Sequence, residues 1–142
     1  MKTAVDTSVL LDVLTADPAF GEASRRALRR AFDVGALVAC DIVWAEVRAN
    51  FPSEDAFAKT MDAIGVRFDP VDEAAAQLAG RMWRESRRAS KGKGAGRDRV
   101  VADFLVGAHA LRQAAALLAR DRGYYRSHFS GLKVIDPSEA VQ

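Results

Sequence analysis

Cysteine is nearly absent from this chain of 142 residues: Cys40 is the only one. No intramolecular disulfide can form and no thiolate metal site can be built, so a reducing cytosol suits the protein. Long hydrophobic runs are also missing, none approaching the roughly 20 residues of a spanning helix. The start lacks the basic, apolar and small-residue series of a signal peptide, and the expectation is a cytoplasmic protein that makes no membrane contact. An excess of one charge is absent too, with a net charge of only +2. That near-neutrality conceals an asymmetry, because basic residues crowd into 25–30 and 81–99 while acids are scattered through apolar segments. Basic faces beside dispersed acids suit an anionic partner.

What is present is a globular balance, 49% hydrophobic and 28% charged, which excludes a chain too polar to collapse. A chain of this length fits one ordinary domain spanning 1–142, which buries roughly two thirds of the surface its unfolded form exposes. No internal repeat or domain linker interrupts it.

The pattern along the chain alternates. A short strand "KTAV" at 2–5 leads into a helix from Ser8 carrying Val9, Leu10, Val13 and Leu14, which "ADP" stops. A longer helix from Ala19 to Val34 places Ala27, Leu28 and Ala31 on one stripe and Arg25, Arg26, Arg29 and Arg30 on the other, and Gly35 ends it. A buried strand "ALVAC" follows. Asp41 can cap the helix "IVWAEVRANF", Pro52 terminates it, and 53–64 form another helix. A strand at "VRFDPV" precedes a helix from Asp72 to Arg88, with Ala75, Leu78, Ala79 and Met82 inward and Arg81, Arg84 and Arg88 outward. The Gly- and Lys-rich "ASKGKGAG" reads as a loop. Asp98 can cap a helix to Gln113, followed by a strand "AALLA", a turn "RDRGYYR" and a last strand "LKVI". Strands alternating with helices imply a three-layer α/β/α domain around a central parallel sheet, whose ligands lie beyond the carboxyl ends of the strands.

Against this frame several acids stand out. Asp6 interrupts an apolar run and is followed at once by Thr7 and Ser8, either of which can cap the next helix. Asp121 stands at a second strand end. Glu46 shares its helix face with Ile42, Val43 and Ala49, so its carboxylate is expected to point inward; Asp103 does the same beside Val100, Val106 and Gly107. A buried carboxylate is costly unless it is paired, hydrogen-bonded or bound to a metal. Salt bridges to Arg48 or Arg99 would account for one such acid. Two inward acids plus two at strand ends favour a shared cation, and oxygen ligands without His or Cys select Mg²⁺ or Mn²⁺ over Zn²⁺. Asp12 reads as a partly solvated helix residue, Trp44 and Trp83 as core, and the "GKGAG" loop lacks the spacing of a phosphate-binding P-loop. His109 and His128 belong to no catalytic constellation.

At this point the motifs in order, "DTSVLLD", "IVWAEV", "ADFLVGAHAL" and "LLARDRGYYRSHF", resemble those of the PIN-domain ribonucleases, and among them the VapC-like toxins of bacterial toxin-antitoxin pairs. The resemblance runs over nearly the whole chain. It implies an α/β/α PIN-like fold with catalytic acids at Asp6, Glu46, Asp103 and Asp121 and supporting hydroxyls at Thr7 or Ser8. The expected activity is Mg²⁺- or Mn²⁺-dependent endoribonucleolytic hydrolysis, with Asp6 and Asp103 holding metal and Glu46 and Asp121 positioning water or a second ion. Arg87, Arg88, Lys91, Lys93, Arg97, Arg99, Arg120 and Arg122 would hold the RNA backbone. One departure is Ala119, where the family often has Thr, so a supporting hydroxyl is missing there.

Alternatives fit less well. A phospho-accepting receiver domain needs paired acids after its first strand and a hydroxyl and a Lys after later ones, where this chain has a single Asp6 and Ala119. A dehalogenase-type phosphatase needs Asp-x-Asp where "DTS" stands. A non-catalytic RNA-binding or interaction module does not need the full acidic set. The resemblance also implies a homodimer and a VapB-like antitoxin, expected to lay an apolar helix over Phe51, Phe57 and Met61 and to send a basic side chain into the acidic pocket.

Overall fold

The computed structural model describes residues 1–90, 101–121 and 123–139. Its elements are β1 (Lys2–Val5), α1 (Thr7–Leu14), α2 (Gly21–Val34), β2 (Ala36–Ala39), α3 (Asp41–Arg48), α4 (Glu54–Ile64), β3 (Val66–Phe68), α5 (Glu73–Ser90), α6 (Val101–Gln113), β4 (Ala116–Leu118), α7 (Tyr124–His128) and β5 (Val134–Ile135). The strands form one sheet in the order β3-β2-β1-β4-β5, and every neighbouring pair is parallel. In the centre of the sheet Thr3 lies opposite Leu37 and Ala116, and Ala4 opposite Val38 and Leu117. Ala4, Val5, Leu37, Val38, Leu117 and Leu118 are all buried, so successive side chains on both sheet faces are covered and the fold has three layers. A receiver domain orders its strands 2-1-3-4-5, and this sheet does not.

The order explains where a site can form. From β1 the chain moves outward to β2 and β3, then crosses back to β4 and β5 on the other side. With right-handed crossovers, α1–α4 cover one face and α5–α7 the other, and the switch point lies between the carboxyl ends of β1 and β4. Those ends carry Asp6 and the pair Arg120 and Asp121.

Local structure follows the expected stripes. Ala27, Leu28 and Ala31 are buried on α2 while its four arginines are exposed. Ala75 and Ala79 are fully buried on α5. Ser53 caps α4 by accepting the Ala56 amide at 3.1 Å, and Gly65 ends it in the left-handed region at φ 88°, a conformation that suits a residue without Cβ. Gly107 is needed for a different reason: a Cβ there would lie 2.3 Å from the Phe129 ring.

Four expectations change. "RDRGYYR" is not a simple turn, since α7 begins at Tyr124. Asp41 does not cap α3; Cys40 occupies the cap position, and the Asp41 carboxylate instead accepts the Val71 amide at 3.2 Å. Asp12 is buried rather than partly solvated, with 3% of its surface exposed. Phe57 and Met61 are core, 6% and 1% exposed, and Phe51 packs edge-on against Phe57, so they offer no open apolar surface. The suggested cap Asp98 and most of the "ASKGKGAG" stretch lie outside the described residues.

Candidate active site

Asp6 extends β1 by donating its amide to the Leu118 carbonyl at 2.9 Å, and α1 starts immediately after it. The two hydroxyls that follow do not cap that helix. Ser8 Oγ donates to Asp6 Oδ2 at 3.2 Å, and Thr7 Oγ1 donates to Glu46 Oε1 at 2.6 Å. The Asp-Thr-Ser triplet therefore interrupts the apolar run because both hydroxyls orient carboxylates, one from the same turn and one from α3.

Glu46 is exposed rather than inward, so its helix stripe predicts the correct side but not the depth. It stands at the rim, held by Thr7. Asp103 is half-buried in the first turn of α6, where the helix dipole favours a carboxylate. Burial pushes the Asp6 carboxyl up to about 6; the Thr7 amide and Ser8 hydroxyl oppose the rise, and the charges of Glu46 and Asp103 add to it. Three acids from β1, α3 and α6 thus converge and repel. Two residues that the sequence pattern did not single out feel the charge of these acids. Burial raises the Tyr125 phenol well above its usual range, with Asp6 and Asp103 adding to the effect. Burial also raises the Cys40 thiol, which lies within the field of Asp6. The aromatic four residues after Asp121 was the available signal for Tyr125.

Asp121 is placed differently. Its side chain is 0% exposed, with Oδ1 accepting the Tyr125 amide at 2.5 Å and Oδ2 the Arg126 amide at 3.2 Å. Arg120 does not extend toward solvent as a free RNA contact. Its guanidinium grips Asp12 through two bonds of 2.8 and 3.0 Å and lies 4.3 Å from the Phe20 ring centre, while Ser24 donates to the same Asp12 at 2.8 Å. Arg87 and Arg88 are exposed in the last turn of α5, Arg87 stacking on Trp83 at 4.5 Å. Lys91, Lys93, Arg97, Arg99 and Arg122 lie outside the described residues. His109, fully buried, pairs with Asp69 at 2.9 Å and plays no part in the pocket.

The donor set is all oxygen, which fits Mg²⁺ or Mn²⁺. Among the described residues no three acidic, His or Cys side chains stand close enough to enclose an ion as they are. Mg²⁺ does not demand such a cage, since it keeps several waters and takes one or two carboxylates.

Away from the acids, α1, α2 and α4 border a groove of about 280 Å³ lined by Val13, Leu28, Phe32 and Ile64 together with Arg25, Arg29 and Asp62. Phe32 is 51% exposed. Among the described residues no helix is long and apolar enough to cross a membrane.

Mutually repelling acids beyond the carboxyl ends of a parallel sheet, at the switch point of a three-layer α/β/α fold, define the class of protein. The PIN domain family matches residues 3–129, and the chain belongs to that family. Its fold is similar to VapBC2 from Rickettsia felis, solved on a promoter DNA fragment, with a TM-score of 0.68 at 15% identity over 96% of this chain and 98% of that one. It is also similar to a toxin-antitoxin complex from Klebsiella pneumoniae (TM-score 0.66, 17% identity, 97% and 99% covered). A third similar structure is FitAcB from Neisseria gonorrhoeae (0.59, 19%, 97% and 99%). No curated protein matches the chain.

Proposed function

We propose that this single-domain chain is the toxin of a toxin-antitoxin pair and acts as a Mg²⁺- or Mn²⁺-dependent endoribonuclease. The observation that carries the reading is the convergence of Asp6, Glu46 and Asp103, whose mutual repulsion a cation would relieve. Asp6 and Asp103 would hold the ion, and Glu46, fixed by Thr7, would orient the attacking water from the rim. When bound, such an ion polarises a phosphodiester and activates water. Ser8 keeps the Asp6 carboxylate turned for its task. Arg87 and Arg88, with the basic residues of 91–99, would hold RNA phosphates; Arg120, already committed to Asp12, would not.

The similar structures include toxin-antitoxin complexes, which supports an antitoxin partner for this chain too. The α1/α2/α4 groove, with Val13, Leu28, Phe32 and Ile64 in its lining, suits the apolar face of a partner helix, and this replaces Phe51, Phe57 and Met61 as the docking surface. A basic side chain beyond that helix would pair with Asp6, Glu46 or Asp103. The toxin would act as a cytoplasmic homodimer. Induction of the chain alone should arrest growth, and co-expression of the adjacent reading frame should relieve the arrest and yield a complex that Phe32→Glu weakens. Harmless induction, or a neighbour that neither binds nor protects, would overturn the toxin assignment.

A further inference from the structure

The resemblance implies four catalytic acids, with Asp121 positioning water or a second ion, and the geometry of this fourth acid points elsewhere. Both Asp121 carboxylate oxygens accept amides of α7, Tyr125 at 2.5 Å and Arg126 at 3.2 Å. Its side chain is wholly buried, and the Arg126 Nε lies 3.9 Å away. Two amide donors and a guanidinium already neutralise this charge, and no exposed oxygen remains to meet an ion entering from solvent. The loop around it is pinned as well: the Asp121 amide donates to Asp136 Oδ2 at 2.9 Å, and Arg126 binds Glu139 through bonds of 2.6 and 3.0 Å. The charges of Glu46 and Asp103 both bear on Asp6.

We propose that Asp121 is a positioning residue rather than a metal ligand: its carboxylate caps α7 and so seats Tyr125 beside Asp6 and Asp103. This rests on the nuclease reading of the pocket. The cap acts at short range, because the amide it holds at 2.5 Å belongs to Tyr125 itself. Tyr125 is 5% exposed and packs edge-on against Tyr124 with ring centres 4.9 Å apart, and Tyr124 in turn packs against Phe104 of α6, one residue beyond Asp103. The chain from Asp121 through Tyr125 and Tyr124 to Phe104 therefore ties the end of β4 to the helix that carries Asp103. The metal-holding role stays with Asp6 and Asp103, with Glu46 at the rim, and the fourth acid holds the wall behind them.

Two measurements test this. The first follows hydrogen exchange of the Tyr125 and Arg126 amides in the unmodified protein with and without saturating Mg²⁺. Equal protection is expected, since the carboxylate never leaves the helix; faster exchange on adding Mg²⁺ would show Asp121 turning to the ion and overturn the proposal. The second compares variants for Mg²⁺ binding by calorimetry and for RNA cleavage. Asp121→Asn, which keeps an acceptor for α7, should bind Mg²⁺ within about threefold of the parent and retain kcat, while Asp103→Asn should weaken binding more than about tenfold. Asp121→Ala should keep the Mg²⁺ midpoint but lose roughly tenfold or more in kcat, a loss that the Asn variant rescues. Asp121→Asn losing Mg²⁺ as severely as Asp103→Asn would make Asp121 a ligand. No Mg²⁺ binding by the parent would instead remove the nuclease reading on which the proposal rests.

Discussion

At Asp6, burial and charge act against the ionised form, and the consequence is a dependence of stability on pH. Its carboxyl titrates at about 6 in the folded protein against an ordinary 3.8. Below the lower value it is protonated in both states and costs nothing. As pH rises through the window between them, the unfolded chain ionises freely while the native state resists, so stability falls until the folded group has lost its proton, by up to about 3 kcal/mol. Thermal melts without divalent ions should therefore lose stability between about pH 4 and pH 6.5, and Asp6→Asn should flatten that portion of the profile. An unchanged slope in the variant would contradict the assignment. Arg120 carries a second prediction at this scale. With Asp12 buried beneath it, Arg120→Ala leaves the carboxylate with only the Ser24 hydroxyl as side-chain partner among the described residues, and the expected cost is about 2–3 kcal/mol, read as a lower melting temperature. RNA affinity measured where both proteins are folded should barely change.

The elements were largely legible because their signals are local. Arginines and apolar residues alternate on α2 at helical spacing, and "KTAV" followed by Asp-Thr-Ser marks a strand end and a helix start. The Asp6 hydroxyl neighbours and Asp103 were recognisable for the same reason. What stayed hidden depends on distance along the chain. Arg120 and Asp12 are 108 residues apart, and nothing local to either names the other. The five residues of α7 are too few for a periodic stripe, and its start is set by Asp121, whose strand-end position looks the same whether the carboxylate faces an ion or a helix. The depth of Glu46 was missed because a stripe gives direction, and α3 runs out at the pocket rim. Gly107 gives the element-scale prediction. α6 lies so close to Phe129 that Gly107→Ala must displace a ring that is 2% exposed, at a cost of about 1–3 kcal/mol and several degrees in Tm. A neutral substitution would show that α6 packs less tightly there.

Across the whole molecule the sheet order unites these features. Reversal of direction between β1 and β4 opens the crevice, α3 and α6 bring Glu46 and Asp103 to its sides, and the Arg120–Asp12 pair ties the segment after β4 to α1. The lining of the groove between α1, α2 and α4 includes none of Asp6, Glu46 and Asp103, so under the proposed function a partner helix would dock there while a following segment reached the acids. Because a cation would relieve the repulsion at Asp6, Mg²⁺ binding should stabilise the native state by mass action. If Asp6, Glu46 and Asp103 form a metal-dependent nuclease centre, cleavage of an RNA oligonucleotide by the parent and by Asp103→Asn, each with Mg²⁺ and with chelator, decides it. The expected result is cleavage by the parent in Mg²⁺ alone, loss of at least about a hundredfold in a folded Asp103→Asn, and recovery of the chelated parent on adding Mn²⁺. Cleavage by Asp103→Asn at the parental rate, or parental cleavage indifferent to chelator, would contradict it.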